Sequence, residues 1–171
     1  MRPALVLCLG NEILTDDSFG FKIAKKLKAE YDFKGRAEVI FSPLGGLNLI
    51  ELLRERERVL IIDTLMTKKA APGTLHFFEM GHFTPAKNLT CSHQISLPTA
   101  LKFGRELGID MPEKIDVLAV EAKDVETLNE NLTPPVLAAI GPAIDKIIGW
   151  IEPKMEQSNH DEQEKRKGSV S

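Results

Sequence analysis

The chain carries two cysteines, Cys8 and Cys91, among 171 residues. Two thiols make no disulfide framework, and a chain of this length buries about 70% of its unfolded surface without one. The expected compartment is therefore the reducing cytoplasm. Long apolar runs are missing as well. Runs such as 4–9 and 59–62 fall far short of the ~20 residues that a membrane span needs. Met1-Arg2-Pro3 leads directly into a strand-like segment, with no secretory h-region and cleavage site. Charge of one sign is also lacking. Against 22 Lys and Arg stand 25 Asp and Glu, a net charge of −3. That argues against nucleic-acid binding driven by phosphate neutralisation. No internal repeat and no low-complexity block interrupts the chain, and its length predicts one domain.

What is present is an alternation of buried strands and amphipathic helices. Residues 4–9 form a continuous apolar run ending at Gly10-Asn11, as in strands covered on both faces. A helix is expected over 17–30, where Phe19, Ile23, Ala24 and Leu27 recur at helical spacing. Strand 37–41, helix 47–56 and strand 58–62, ending at Asp63, follow. Pro72-Gly73 marks a turn into an edge strand at 74–80, and 81–94 has no clear period. A helix over 96–107, with Ser96 as N-cap, precedes a last strand at 115–120. Thr133-Pro134 opens a final helix that Gly141-Pro142 should kink. The order implies right-handed crossovers and an α/β fold, a mainly parallel sheet with helices on both faces. We assign residues 1–152 to one domain and 153–171 to a polar tail too poor in apolar residues to order itself.

Ligands of such sheets sit at the carboxyl ends of the parallel strands. The polar residues there are Asn11, Glu12, Asp16 and Asp17 after the first strand, Asp63 after the third, and Cys91, Ser92 and His93 before the helix at 96. A nucleotide loop is excluded. Gly10 and Gly20 match neither GxGxxG nor GxxxxGK[ST], and the adjacent carboxylates Asp16 and Asp17 would repel a phosphate. Helix capping accounts for one of these two aspartates, not for both, nor for Asp63. Two carboxylates and one imidazole suit a borderline divalent ion such as Zn²⁺, Ni²⁺ or Fe²⁺, though their spacing makes no local motif. Among the histidines, His93 lies beside a helix start, His76 within a strand, His82 in an irregular loop and His160 in the tail. Cys8, inside a strand, should be inert. Cys91 and His93, two apart, make no nucleophilic dyad, and no Ser stands in a Gly-x-Ser-x-Gly context.

Three segments together resemble the hydrogenase maturation proteases. Residues 10–20, GNEILTDDSFG, resemble the family's opening GNxLxxDDGxG signature. Val59 to Leu65 is similar to its strand-end aspartate segment, and Ser92 to Leu97 to its histidine segment. Pro72-Gly73-Thr74 and Leu132-Thr133-Pro134 match a turn and a helix start, so the resemblance spans about residues 4–151. Departures are Ser18 in place of a glycine, Phe41-Ser42-Pro43 where relatives carry Asp-Gly, and Ala122-Lys123 in place of Pro-Glu. Ser18 suggests that no left-handed turn is needed there.

The resemblance implies a three-layer α/β/α sandwich. It implies a small monomeric cytoplasmic endopeptidase that removes a C-terminal peptide from the precursor of a nickel–iron hydrogenase large subunit. Cleavage would follow nickel insertion, with the metal as recognition element, supplied by the substrate and replaceable by zinc or cadmium in vitro. The family's catalytic and metal-contacting residues carry over to Asp17, Asp63 and His93, while Asp16 matches an acidic position that is not a ligand. Whether the peptidase is metal-linked or aspartic-type stays open. The rival readings are a nickel-dependent hydrogenase chaperone that does not cut, and a metal-dependent amidohydrolase acting on small molecules. No nucleic-acid or membrane partner is expected.

Overall fold

The computed structural model describes residues 2–80 and 96–153. Its elements run β1 (Ala4–Leu9), a 3-10 turn (Thr15–Ser18), α1 (Phe19–Glu30), β2 (Ala37–Ser42), α2 (Asn48–Leu53) and β3 (Arg58–Leu65). There follow β4 (Leu75–Glu79), α3 (Ser96–Glu106), β5 (Lys114–Glu121), α4 (Pro134–Ala138) and α5 (Ile140–Ile151). The sheet order is β2-β1-β3-β5-β4. The first four strands in that order are mutually parallel, and β4 pairs antiparallel to β5 at the edge.

Side-chain alternation along the strands divides the core in two. Val6, Cys8, Leu60, Ile62, Leu118 and Val120 pack under α1 and α5. Leu5, Leu7, Val59, Ile61, Val117 and Ala119 pack under α2 and α3. This is the expected three-layer α/β/α architecture. Each buried Leu or Ile stabilises it by about 1.5–3 kcal/mol relative to exposure. The 134–151 stretch is apolar enough by composition to cross a membrane. Here Val136, Ala143, Ile144, Ile147 and Ile151 are buried against the sheet.

Four boundaries differ from the sequence expectations by more than one residue. The helix expected from residue 17 starts as a 3-10 turn and becomes α-helical at Phe19. The one expected over 47–56 stops at Leu53, because Glu55 turns left-handed (φ 59°) and Arg56 turns inward. The Arg56 guanidinium is buried and donates to Pro3 O and to the Glu38 carboxylate. β3 does not end before Asp63 but continues to Leu65, because Asp63–Leu65 pair with Ala119–Glu121 of β5. The break in the last helix falls at Ala139, upstream of Gly141. A proline ring clashes with the carbonyl four residues earlier, and for Pro142 that is Ala138, the last residue of α4. The irregular loop expected over 81–94 and the tail after Pro153 lie outside the described residues.

Candidate active site

The chain leaving β1 folds back at once to begin α1 against the strand it has left. Two glycines permit the approach. Gly10 has φ 143°, and a Cβ there would lie 2.1 Å from the Asp17 carbonyl oxygen. A Cβ at Gly20 would lie 2.2 Å from the Leu9 carbonyl oxygen. Close backbone packing, not phosphate binding, explains both. Within the fold-back, Asp17 N donates to Leu14 O (2.8 Å) and Asn11 N donates to Asp17 O (3.1 Å). The left-handed residue is Thr15, with φ 36°. Ser18 is right-handed (φ −76°), in line with the loss of glycine there.

Asp17, in the 3-10 turn after β1, and Asp63, in β3, arrive at the same carboxyl edge of the sheet, where β1 and β3 are neighbours. Thr64 links them. Its hydroxyl donates to Asp17 Oδ1 (3.0 Å), and its N–H donates to Asp63 Oδ1 (2.8 Å). By alternation Thr64 belongs to the α1 side of the sheet and Asp63 to the α2–α3 side. Asp63 is fully buried and Asp17 half-buried. α3 begins at Ser96, three residues after His93, and Leu97 and Ala100 pack on Asp63's side of the sheet. His93 itself, with Cys91, Ser92 and His82, lies outside the described residues, as do the Ser96 side chain and His160. Sequence reasoning passed over Thr64. Its signal was a hydroxyl residue inside an otherwise apolar strand, directly after the aspartate.

The capping role expected for one aspartate is absent, since neither the 3-10 turn nor α1 carries a side-chain cap. Asp16 is fully buried and turned across the fold to the loop that follows β5. Its Oδ2 accepts from Lys123 N (2.8 Å) and Asp124 N (3.0 Å). Its Oδ1 accepts from Thr133 N (2.8 Å), and the Thr133 hydroxyl reaches both oxygens at 2.9 Å. Thr133 holds the N-cap position of α4 by its backbone, while its side chain serves Asp16. The Asp16 carboxylate is thus committed to structure, which leaves Asp17 as the member of the pair open to a ligand.

A third buried carboxylate was missed by the sequence reasoning. Glu121, at the end of β5, accepts from Thr67 N (2.8 Å), Thr67 Oγ1 (2.9 Å) and Lys68 N (2.9 Å). The His76 Nε2 lies 3.2 Å from its other oxygen. His76, within β4, therefore helps to clamp the turn between β3 and β4. The strand-end rule that singled out Asp63 would have found Glu121 too. Cys8 is buried as expected, and burial pushes its thiol far up, against a weaker opposing pull from the Lys28 charge.

Among the described residues no three His, Cys, Asp or Glu side chains gather as a metal cluster. Two oxygen donors at one sheet edge fit part of a site for a borderline divalent ion, which an imidazole would complete.

Comparison with known proteins agrees with this fold. A family model described as hydrogenase maturation protease matches residues 21–150, a span that begins beyond Asp17. The hydrogenase 2 maturation protease of Escherichia coli K12 is 31% identical over 146 residues, covering 84% of this chain and 87% of that protein. The hydrogenase expression/formation protein HupD of Rhizobium leguminosarum is 26% identical over 147 residues, 84% of this chain and 71% of that one. The structure of the hydrogenase maturating endopeptidase HybD from E. coli superposes with a TM-score of 0.78 at 30% identity, covering 90% and 93% of the two chains.

Proposed function

The chain belongs to the hydrogenase maturation protease family, and we propose that it removes a C-terminal peptide from a nickel–iron hydrogenase large-subunit precursor once nickel is in place. It is a hydrolase, a hydrogenase maturation endopeptidase. In the proposed reading Asp17, Asp63 and His93 form the site, the nickel arrives with the substrate, and a single copy of the chain acts in the cytoplasm.

The observation that carries this reading is the Thr64 link between Asp17 and Asp63. It supports a shared role for two carboxylates that are 46 residues apart in sequence. Asp63, buried and held by the Thr64 N–H, is a fixed acceptor. Asp17, half-buried at the mouth, is the carboxylate that a docked peptide would meet. A divalent ion brought to Asp17 and Asp63 would supply polarisation of a scissile carbonyl or a lowered water pKa. The protein's part is to orient the segment around the metal and to accept the proton of the attacking water at a carboxylate oxygen.

The test is to mix the purified protein with nickel-loaded and nickel-free large-subunit precursors and weigh both by intact-protein mass spectrometry. Loss of a C-terminal peptide from the nickel-loaded precursor alone is expected. Asp17→Asn, Asp63→Asn and His93→Ala should each abolish it while leaving the circular dichroism spectrum unchanged. Co-elution without cleavage would favour a chaperone, and full cleavage by all three variants would remove the site.

A further inference from the structure

The segment that bears Asp17 is tied on its outer side to the loop between β5 and α4, residues 122–133. Thr15 N donates to Asn129 O (2.8 Å), and Asn129 N donates to Ile13 O (2.9 Å). Leu14 and Asn129 form a bridge. Asp16 N donates to Asp124 O (3.0 Å), and the Thr15 hydroxyl donates to Thr127 O (2.6 Å). The two ends of the loop, Lys123-Asp124 and Thr133, close on the one Asp16 carboxylate.

Thr15 adds a second observation. A β-branched residue at φ 36° is a genuine outlier. Such a conformation persists only where the surroundings over-determine it. Here the Thr15 N–H and hydroxyl are held by the loop, and its carbonyl accepts from the Ser18 hydroxyl (2.6 Å). Two residues on, the Asp17 backbone bonds to Leu14 and Asn11 inside the same fold-back, and its carboxylate accepts from the Thr64 hydroxyl. The loop fixes the two residues before Asp17, Thr15 and Asp16, while Thr64 of β3 holds its carboxylate.

We propose that the 122–133 loop is a positioning strap, and that Thr15, Asp16 and Thr133 are positioning residues that place Asp17 for cleavage. The inference rests on the reading of Asp17 as a site residue. It makes the strained turn part of the mechanism, since a relaxed Thr15 would rotate the two peptide units that aim the Asp17 side chain.

Hydroxyl-deleting and hydroxyl-keeping pairs test it: Thr15→Val against Thr15→Ser, and Thr133→Val against Thr133→Ser. Cleavage of the nickel-loaded precursor is measured as kcat and KM. Amide hydrogen exchange is followed at Asn11 and Asp17. Both valine variants should lose about tenfold to a hundredfold in kcat with KM little changed. Their Asn11 and Asp17 amides should exchange about tenfold faster while β1 and β3 stay protected. The serine variants should recover most of both. Valine variants with wild-type kcat and exchange, whatever their melting point, would overturn the strap. A wild type that does not cut, while those amides still lose protection in the valine variants, would refute the role of Asp17 and leave the mechanical coupling standing.

Discussion

The hydroxyl of Thr64 stands 3.0 Å from Oδ1 of Asp17, a residue 47 positions away in the chain. Thr64 lies on β3 and Asp17 on the fold-back after β1, so this bond joins the two strand ends that form the candidate site. The same residue's N–H holds Asp63.

Thr64→Val keeps the shape and removes the hydroxyl donor. We expect a loss of about 1 kcal/mol of stability from the lost bond. A larger effect is expected on catalysis, with kcat down about tenfold or more. Thr64→Ser should keep most of the rate. Steady-state kinetics beside urea unfolding of the three proteins separates the two effects, and equal kcat for valine and wild type would discard the link.

Gly10→Ala should be far more damaging than an exposed glycine change. The new Cβ would meet the Asp17 carbonyl at 2.1 Å, and φ is 143°. Overpacking and strain together predict a loss of about 3 kcal/mol or more. Gly46 has φ 68° but no atom within 4 Å of an added Cβ, so Gly46→Ala should cost only its backbone strain. Chemical denaturation of both variants checks the ranking.

Glu121→Gln replaces a carboxylate that only accepts by an amide that also donates. The amide NH2 is accommodated only on the Oε2 side, where the Thr67 hydroxyl and the His76 ring nitrogen can accept. A loss of about 2 kcal/mol is expected, because the Thr67 and Lys68 N–H groups then donate to a neutral oxygen in place of a charged one. In a chain of this size that lowers the melting midpoint by about 4–8 °C. Calorimetry reads it directly.

Asp124 gives the strap an acid limit. The Thr127 side chain, and then the N–H groups of Glu126 and Thr127, hold its carboxyl below the usual range. A lowered folded value means a contribution present above the unfolded pKa of about 3.9 and lost as pH falls through the folded value. The stability difference between wild type and Asp124→Asn should therefore be constant near neutrality and shrink towards zero in acid. Urea unfolding across the acid range tests the sign, and a difference that grows in acid would contradict it.

Much of the fold was legible in the sequence because its signals are local. The apolar run 4–9 and the helical spacing of Phe19, Ile23, Ala24 and Leu27 specify a buried strand and an amphipathic helix. Their repetition specifies a parallel sheet. Asp17 and Asp63 were legible for a related reason, since polar residues at the ends of buried strands must share one edge. Boundaries were less legible. α2 stops early because Arg56 is buried and bonded to Pro3 and Glu38, which local spacing does not reveal.

The sequence by itself determined which residues go to the core, which strands run parallel and which acidic residues reach the carboxyl edge, because periodicity and strand order suffice for these. Local pattern did not divide the labour between Asp16 and Asp17, adjacent and chemically alike; only the family resemblance set Asp16 apart. Only the tertiary structure decided that Asp16 turns inward to the N–H groups of Lys123, Asp124 and Thr133, while Asp17 turns to Thr64. The reason is physical. A fully buried carboxylate must have donors, and those donors come from a loop more than a hundred residues away, which no local pattern brings near.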